Sequence, residues 1–420
     1  MAPTTRTQQA VTGVAGAAHI GTAILMGTVM AVYVGREASP FAVGMVSTAY
    51  FFGLVFFAPV WGAVADLTGR RRAVLVASAG LATVAALPLA VVESVWAQIA
   101  LRALYAVFAA GFLPVALTIV SARGGESDRG RSIGSFNSAR SAGFTGARFF
   151  GGVLLGLLAA QSVYLVVAGV SFVAMLAALF IDDPTPDPEE PPTRSGLMAD
   201  VRSRLLPAVD ERAHLTTNGL QWLYVALALR NLSWLGLASL LPIYLIAEVG
   251  ATEFAMGVLL SISPVIEVGA MYVFGRVADA AGRKPLVVGG VAGHVAAAVL
   301  IAAATVPASD LVGQLLAGTG MLVKGLTFSA MVAGTVAFIG DVSPVDRESE
   351  LMGLRSTAKG VGGMLGPVVV GSAATVFSYE LAFAGAAVVA AAAAVLVWWG
   401  LTESYQDASL SGLGPVVGDE

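Results

Sequence analysis

The chain of 420 residues contains no cysteine, which excludes disulfides, thiolate metal ligands and thiol nucleophiles. Charge is also scarce: Asp, Glu, Lys and Arg make up 12% of the residues, against roughly 25% in a soluble domain. Histidine occurs three times. Neither a paired-acid constellation nor a His and Asp metal set is visible, so the chain does not read as an enzyme, and nothing calls for a cofactor or metal. The formal net charge is −4 and the basic residues are not interleaved with aromatics, which argues against nucleic acid as a partner.

Apolar residues are what the chain has in excess, at 57% of the total with a mean hydropathy of +0.82. That surface needs a second solvent. A lipid bilayer accepts only helices or closed barrels, because each unpaired backbone group in hydrocarbon costs several kcal/mol. Alternating barrel strands are absent. Runs such as 11–34, 41–65 and 382–400 instead approach the roughly 20 residues that cross a bilayer as a helix. The expected fold is all-α and integral to the membrane, with twelve transmembrane helices and the lipid bilayer as a partner along their length. The first apolar run lacks a cleavage site and reads as an uncleaved first helix.

Arg70, Arg71, Arg72, Arg123, Arg129, Arg131, Arg283, Lys284 and Arg347 fall in loops on one side, and Arg36 on the other. The excess of basic loop residues on the cytoplasmic side of membrane proteins places both termini in the cytoplasm and the chain in the plasma membrane. The longest break, 182–218, is rich in Pro, Asp and Glu and reads as a solvated linker. Within it Leu197, Met198, Val201, Leu205 and Leu206 recur at helical spacing around Arg202 and Arg204, as either a membrane-surface helix or a solvated one. The linker divides the chain into six-helix bundles at 1–181 and 219–402, with a tail at 403–420.

The two halves repeat. Gly62, Asp66, Gly69, Arg70 and Arg71 match Gly275, Asp279, Gly282, Arg283 and Lys284 at an offset of 213, and 134–152 matches 353–371 at an offset of 219. Two bundles related by an axis along the membrane normal imply a central cavity and a rocking motion about it.

Through these motifs the chain resembles the major facilitator superfamily over essentially its whole length. The Gly-x-x-x-Asp-x-x-Gly-Arg loop is that family's signature, and it occurs twice in register, with Leu67 and Ala280 where a basic residue usually follows the Asp. The resemblance implies a gate latch of Asp66, Arg70 and Arg71 with Asp279 and Arg283, Asp66 facing Arg355 in the outward-open state. Topological anchoring by the loop charges is the alternative. Arg102 in span four resembles the family's Arg-x-x-x-Gly motif, with Ala106 in place of Gly, and the resemblance assigns it a part in proton coupling; a structural arginine is the alternative. Gly143, Gly151 and Gly152 in span five resemble the family's exporter pattern, although Ala147 and Arg148 replace its Gly-Pro. Span eleven keeps Gly362, Gly366 and Pro367, and both sets suit close helix packing.

Glu267 in span eight is the carboxylate placed well inside the membrane. Desolvation penalises the charged form of a buried carboxyl, which suits it to take up and release a proton; a salt bridge to Arg230 or Lys324 is the alternative. Arg102, Arg140, Arg148, Arg230, Lys324 and Lys359 outnumber it, so the cavity is expected to be basic. His19 and His294 stand as proton relays or as packed histidines.

The reading is secondary active transport of a small-molecule solute by alternating access, proton-coupled, as drug or sugar efflux by antiport. Uptake of a sugar or organic anion by symport is the alternative, sodium is the alternative ion, and a transporter-like sensor is the reading from another class. A monomer is expected.

Overall fold

A computed structural model describes residues 5–184, 196, 198–199, 201–202, 212–344 and 348–405. Among them the chain forms no strand. Twelve long helices run in order: α1 (Thr5–Glu37), α2 (Pro40–Thr68), α3 (Arg71–Ala86), α4 (Val95–Ala109), α5 (Phe112–Leu157), α6 (Ala160–Ala178), α7 (Leu220–Ala247), α8 (Glu253–Ala281), α9 (Lys284–Ala302), α10 (Asp310–Val342), α11 (Glu348–Val376) and α12 (Tyr379–Gly400). Helices α1–α6 form one bundle and α7–α12 the other. Met198, Ala199, Val201 and Arg202 of the expected surface helix are helical, whereas Leu197, Arg204, Leu205 and Leu206 lie outside the described residues, as does Arg347.

The repeated loop shows why its glycines are needed. Helix α2 ends on Gly69 at φ 67° and α8 ends on Gly282 at φ 92°, a region that side chains with a Cβ avoid. Helices α3 and α9 then start at once. Helices α8 and α12 open on Thr252 and Ser378, whose hydroxyls accept the N–H groups of Ala255 and Leu381, the usual way to satisfy a first-turn donor.

The sequence suggests a loop at 121–131. The structure has an elbow instead: α5 bends at Gly125, with φ 57° and ψ −157°, so span four is α4 plus the beginning of α5, together 95–125. Trp61 of α2 packs against α4, donating from Nε1 to the Val107 carbonyl at 2.8 Å. Its ring fills the place a side chain at Gly111 would take.

Ten stretches among the described residues are long and apolar enough to cross a membrane. The two spans that fall short are the part of α5 beyond Gly125 and α11, which the 219-residue offset makes equivalent. Both carry exposed polar side chains at membrane depth, Asn137, Ser138 and Ser141 on one and Ser356, Thr357 and Lys359 on the other. Elsewhere large apolar side chains are exposed, as at Val84, Phe180, Val268, Val273 and Val395, and belong against lipid. The polar faces of α5 and α11 need water, and so line a vestibule between the bundles.

Packing of the core shows which side that vestibule opens to. Toward the Arg36 side one continuous apolar cluster joins both bundles, running from Met26, Met30 and Val43 to Leu237, Leu240, Tyr244 and Phe383. Toward the side of the repeated arginine loops the core divides. Val74, Leu75, Phe112 and Ile119 form a cluster of the first bundle, and Leu223, Val287, Val291 and Phe338 one of the second. Among the described residues, the buried apolar core is continuous across the bundles on the Arg36 side and divided between them on the other.

Candidate functional site

Glu267 sits at the middle of α8, and its Oε1 accepts from Lys324 Nζ of α10 at 2.5 Å and from Ser263 Oγ at 2.8 Å. Both side chains are largely withdrawn from solvent, at 19% and 11% exposure. Two aromatic rings cover the ammonium: Lys324 Nζ lies 4.5 Å from the centre of Phe328 and 5.2 Å from that of Trp234. The guanidinium of Arg230 in α7 lies 5.1 Å from the same Phe328 ring. Arg230 is 2% exposed. Its Nη1 donates to Asn231 Oδ1 at 3.1 Å, while its Nε and Nη2 are buried without a hydrogen-bond partner.

From the first bundle, α5 contributes Arg148, whose guanidinium stands 5.4 Å from the Phe144 ring with Nε buried and unpartnered. Arg148, Arg230 and Lys359 all lie near enough to Glu267 to feel its charge. His294 of α9 stands edge-on to Trp234 at 4.9 Å, with both ring nitrogens unpartnered. One carboxylate therefore faces four cations. The close partner it takes is Lys324, with Arg230 across the Phe328 ring.

Two other residues proposed for this site lie away from it. Arg102 is buried in the first bundle, where Nη2 donates to the Ala23 carbonyl at 2.9 Å and the guanidinium lies 4.4 Å from the Tyr50 ring and 5.4 Å from that of Tyr105. His19 stacks on Phe112 with ring centres 4.3 Å apart. Sequence reasoning missed Trp234 and Phe328. Spacing offered a signal for the second: Lys324 with Phe328, like Phe144 with Arg148 and Phe136 with Arg140, stands four residues apart, the helical interval that puts a ring over a cation.

On the Arg36 side the bundles meet at two glycine seams. A Cβ on Gly152 of α5 would come within 2.7 Å of Gly257 Cα in α8, and one on Gly371 of α11 within 2.8 Å of the Pro40 carbonyl oxygen in α2. Gly44 of α2 packs on the Pro367 carbonyl and on Gly371. The offsets of 213 and 219 relate Gly44 to Gly257 and Gly152 to Gly371, so the seams are one contact made twice. Three side-chain hydrogen bonds among the described residues join the bundles, all on this side: Arg36 Nη2 to Glu253 Oε1 at 2.6 Å, the Phe41 amide to Thr375 Oγ1 at 2.8 Å, and Thr48 Oγ1 to the Met364 carbonyl at 2.9 Å.

Within each bundle Gly143 packs on the Ala17 backbone of α1, and Gly362 and Gly366 on α7 between Asn231 and Gly236. Gly151 makes ordinary contact with Leu25 and Thr28 at 3.4 Å.

Arg36 and Glu253 are 49% and 30% exposed, so their pair is worth about 1 kcal/mol or less, and the glycine packing dominates closure. The pair needs an ionised Glu253, so its contribution to the closed seam is present at neutral pH and lost once acid protonates that carboxyl. Arg36→Ala should therefore slow or speed transport less than about fivefold at neutral pH, and the difference from wild type should shrink under strong acid on the Arg36 side, as read by initial rates.

The two signature loops are built differently. In the first, Arg71 Nη2 reaches Asp66 Oδ1 at 3.4 Å and Arg70 is exposed. In the second, Arg283 reaches Asp279 at 3.6 Å and Asp341 at the end of α10 at 2.9 Å. Arg355, proposed to face Asp66, lies half-buried on α11 within electrostatic reach of Arg230 and Lys359. The first residues of the expected tail are bound here: Glu403 accepts the backbone N–H groups of Arg283 and Lys284 at the start of α9, Ser404 Oγ donates to Asp341, and Tyr405 lies 4.7 Å from the Arg283 guanidinium.

Against partial burial, the N–H groups of Arg283, Tyr405, Lys284 and Ser404 hold the Glu403 carboxyl below 4.5. Its contribution is thus complete at neutral pH and lost as pH falls through that lowered value. Glu403→Gln should cost about 0.5–2 kcal/mol, the worth of a charged helix N-cap, seen as a lower melting temperature at pH 7 that converges on wild type in acid.

Two pseudo-symmetric six-helix bundles, whose described apolar core is continuous on one side and divided on the other around a buried charged pocket, define a polytopic membrane carrier. The sequence model of the Major Facilitator Superfamily matches residues 11–323 and 319–415. The chain belongs to that superfamily and is a secondary transporter of the membrane, not an enzyme. It is 26% identical over 358 residues to the multi-drug resistance efflux pump PmrA of Streptococcus pneumoniae, covering 83% of this chain and 84% of PmrA. It is 27% identical over 137 residues to the multidrug resistance protein MdtG of Proteus mirabilis, covering 33% and 34%. Among solved structures, a point mutant of the nucleoside transporter NupG superposes with a TM-score of 0.76 at 15% identity, over 93% of this chain and 99% of that one, a likeness of fold.

Proposed function

We propose that the chain carries a small organic solute across the plasma membrane by alternating access, with proton movement coupled to it through Glu267. The Glu267–Lys324 pair carries this reading. A carboxylate at the middle of a spanning helix, bound to one ammonium beside a watered vestibule, can exchange that partner for a proton. The excess of basic loop residues supports a cytoplasmic position for the repeated-loop side and both termini; on this reading the vestibule opens inward and the glycine seams form the outer gate. The signature loops then serve as the inner gate, and Arg102 ties α4 to α1 and α2 while the bundles rock.

Each direction of transport has an observation behind it. Likeness to PmrA, named a multi-drug resistance efflux pump, over most of both chains supports export, on this reading in exchange for protons. The excess of cations in the pocket supports uptake of an organic anion together with protons. The test is solute-stimulated proton flux in sodium-free proteoliposomes across sugars, organic anions and drugs, wild type against Glu267→Gln. The sign of the pH change assigns the direction. Solute crossing with no proton movement overturns the coupling, and solute bound but never crossing makes the protein a sensor.

A further inference from the structure

The pocket is electrostatically incomplete as it stands. Arg230, Lys324, Arg148 and Lys359 surround Glu267, which is the one carboxylate there among the described residues, and that carboxylate is committed to Lys324 and Ser263. Arg230 keeps Nε and Nη2 free of partners while 2% exposed, and Arg148 keeps Nε free. A buried guanidinium with open donors is costly unless an acceptor satisfies it, and a cluster of like charges needs a negative group to offset it. Water from the vestibule can fill donors but cannot neutralise charge. Two of the cations share one ring, Lys324 at 4.5 Å and Arg230 at 5.1 Å from the centre of Phe328, so an anion at the edge of that ring meets both at once. Phe328, Trp234 and Phe144 supply apolar walls for the body that carries it.

Resting on the reading of this pocket as the solute site, we propose that the transported solute is a small organic anion, bound by Arg230 and Lys324 about the Phe328 ring, that competes with Glu267 for Lys324. Binding frees the Glu267 carboxylate, which then takes a proton from vestibule water; protonation of Glu267 in turn frees Lys324 for the anion. Each event favours the other, so by linkage solute and proton bind cooperatively and travel together. The groups near Glu267 are Arg148 from α5, Arg230 from α7, Lys324 from α10 and Lys359 from α11, with His294 of α9 beside Arg230 and Lys324 and with Arg140 and Arg355 within reach of Lys359. All are basic, so Glu267 is the acid whose charge acidification can remove. Any part played by His294 persists when Glu267 is replaced, which separates the two.

The test uses the purified full chain, read by thermal melting and by quenching of tryptophan fluorescence. The probes are benzenesulfonate, which stays charged throughout the pH range, with neutral benzamide and cationic benzylammonium as matched controls. Benzenesulfonate should bind and the controls should not. Its affinity should rise as the pH falls, and Glu267→Gln should bind it roughly tenfold tighter at neutral pH with the pH dependence gone. Arg230→Gln should weaken binding roughly tenfold or more; should that variant fail to fold, the Glu267→Gln result decides. Equal or tighter binding of either control, no binding of the sulfonate, or weaker sulfonate binding in Glu267→Gln overturns the proposal. Proton-coupled flux of a cationic drug without anion binding sinks the anion and leaves the coupling standing, and anion binding without proton flux does the reverse.

Discussion

Glu267→Gln is expected to abolish solute-linked proton flux while leaving the protein folded, and Lys324→Gln to destabilise it. The reason lies in what each change leaves behind. Glutamine at 267 still accepts from Ser263 Oγ and Lys324 Nζ, the contacts the carboxylate makes at 2.8 and 2.5 Å, but it cannot bind and release a proton. Glutamine at 324 leaves the largely buried carboxylate of Glu267 without its close cation. Removing one partner of a buried ion pair costs about 3–5 kcal/mol, whereas removing both is often near neutral.

The double variant should therefore melt closer to wild type than Lys324→Gln does, and should still carry no protons. Melting temperatures in detergent and pH-dye flux in proteoliposomes read the two effects separately. Proton flux in Glu267→Gln equal to wild type would move the proton site elsewhere, with Arg102 and the histidines next to be tested.

Gly257→Leu should hold the transporter away from the state described here. The Gly152 and Gly257 backbones leave no room for a side chain, and overpacking costs about 1–3 kcal/mol, enough to shift a two-state population about 5- to 150-fold. Gly44→Leu, at the symmetry-related seam, should do the same. Because the chain has no cysteine, a lone Ser141→Cys on the exposed face of α5 reports the vestibule directly. Its labelling from the repeated-loop side should slow by the same factor in either leucine variant and stay unchanged in Arg36→Ala. Unchanged labelling in both leucine variants would mean that the seams do not gate.

Much of the fold is legible in the amino-acid order alone. Lipid as solvent leaves a chain this apolar only the helical option, and a helix declares itself locally, in runs of apolar residues and in the glycine that must end it at positive φ. Gly69 and Gly282 carry both the repeat and the turn. The elbow at Gly125 escapes such a reading because two short polar stretches around a Gly-Gly pair look like a loop, and the polar character of α5 and α11 is the same whether a span lines water or ends early.

The sequence by itself determined twelve membrane helices, the two-fold repeat and the identity of the intramembrane charges, since all of these follow from local composition and periodicity. Tertiary structure alone decided which charges meet. Glu267 lies 57 residues from Lys324 and Arg36 lies 217 residues from Glu253, and only the packing of α8 on α10, and of one bundle on the other, brings such partners together. The same packing withdraws Arg102 and His19 from the pocket, binds Glu403 to the start of α9, and leaves Arg230 buried with donors still open. Helix rotation and bundle closure settle these contacts, and neither is written in the spacing of a single helix.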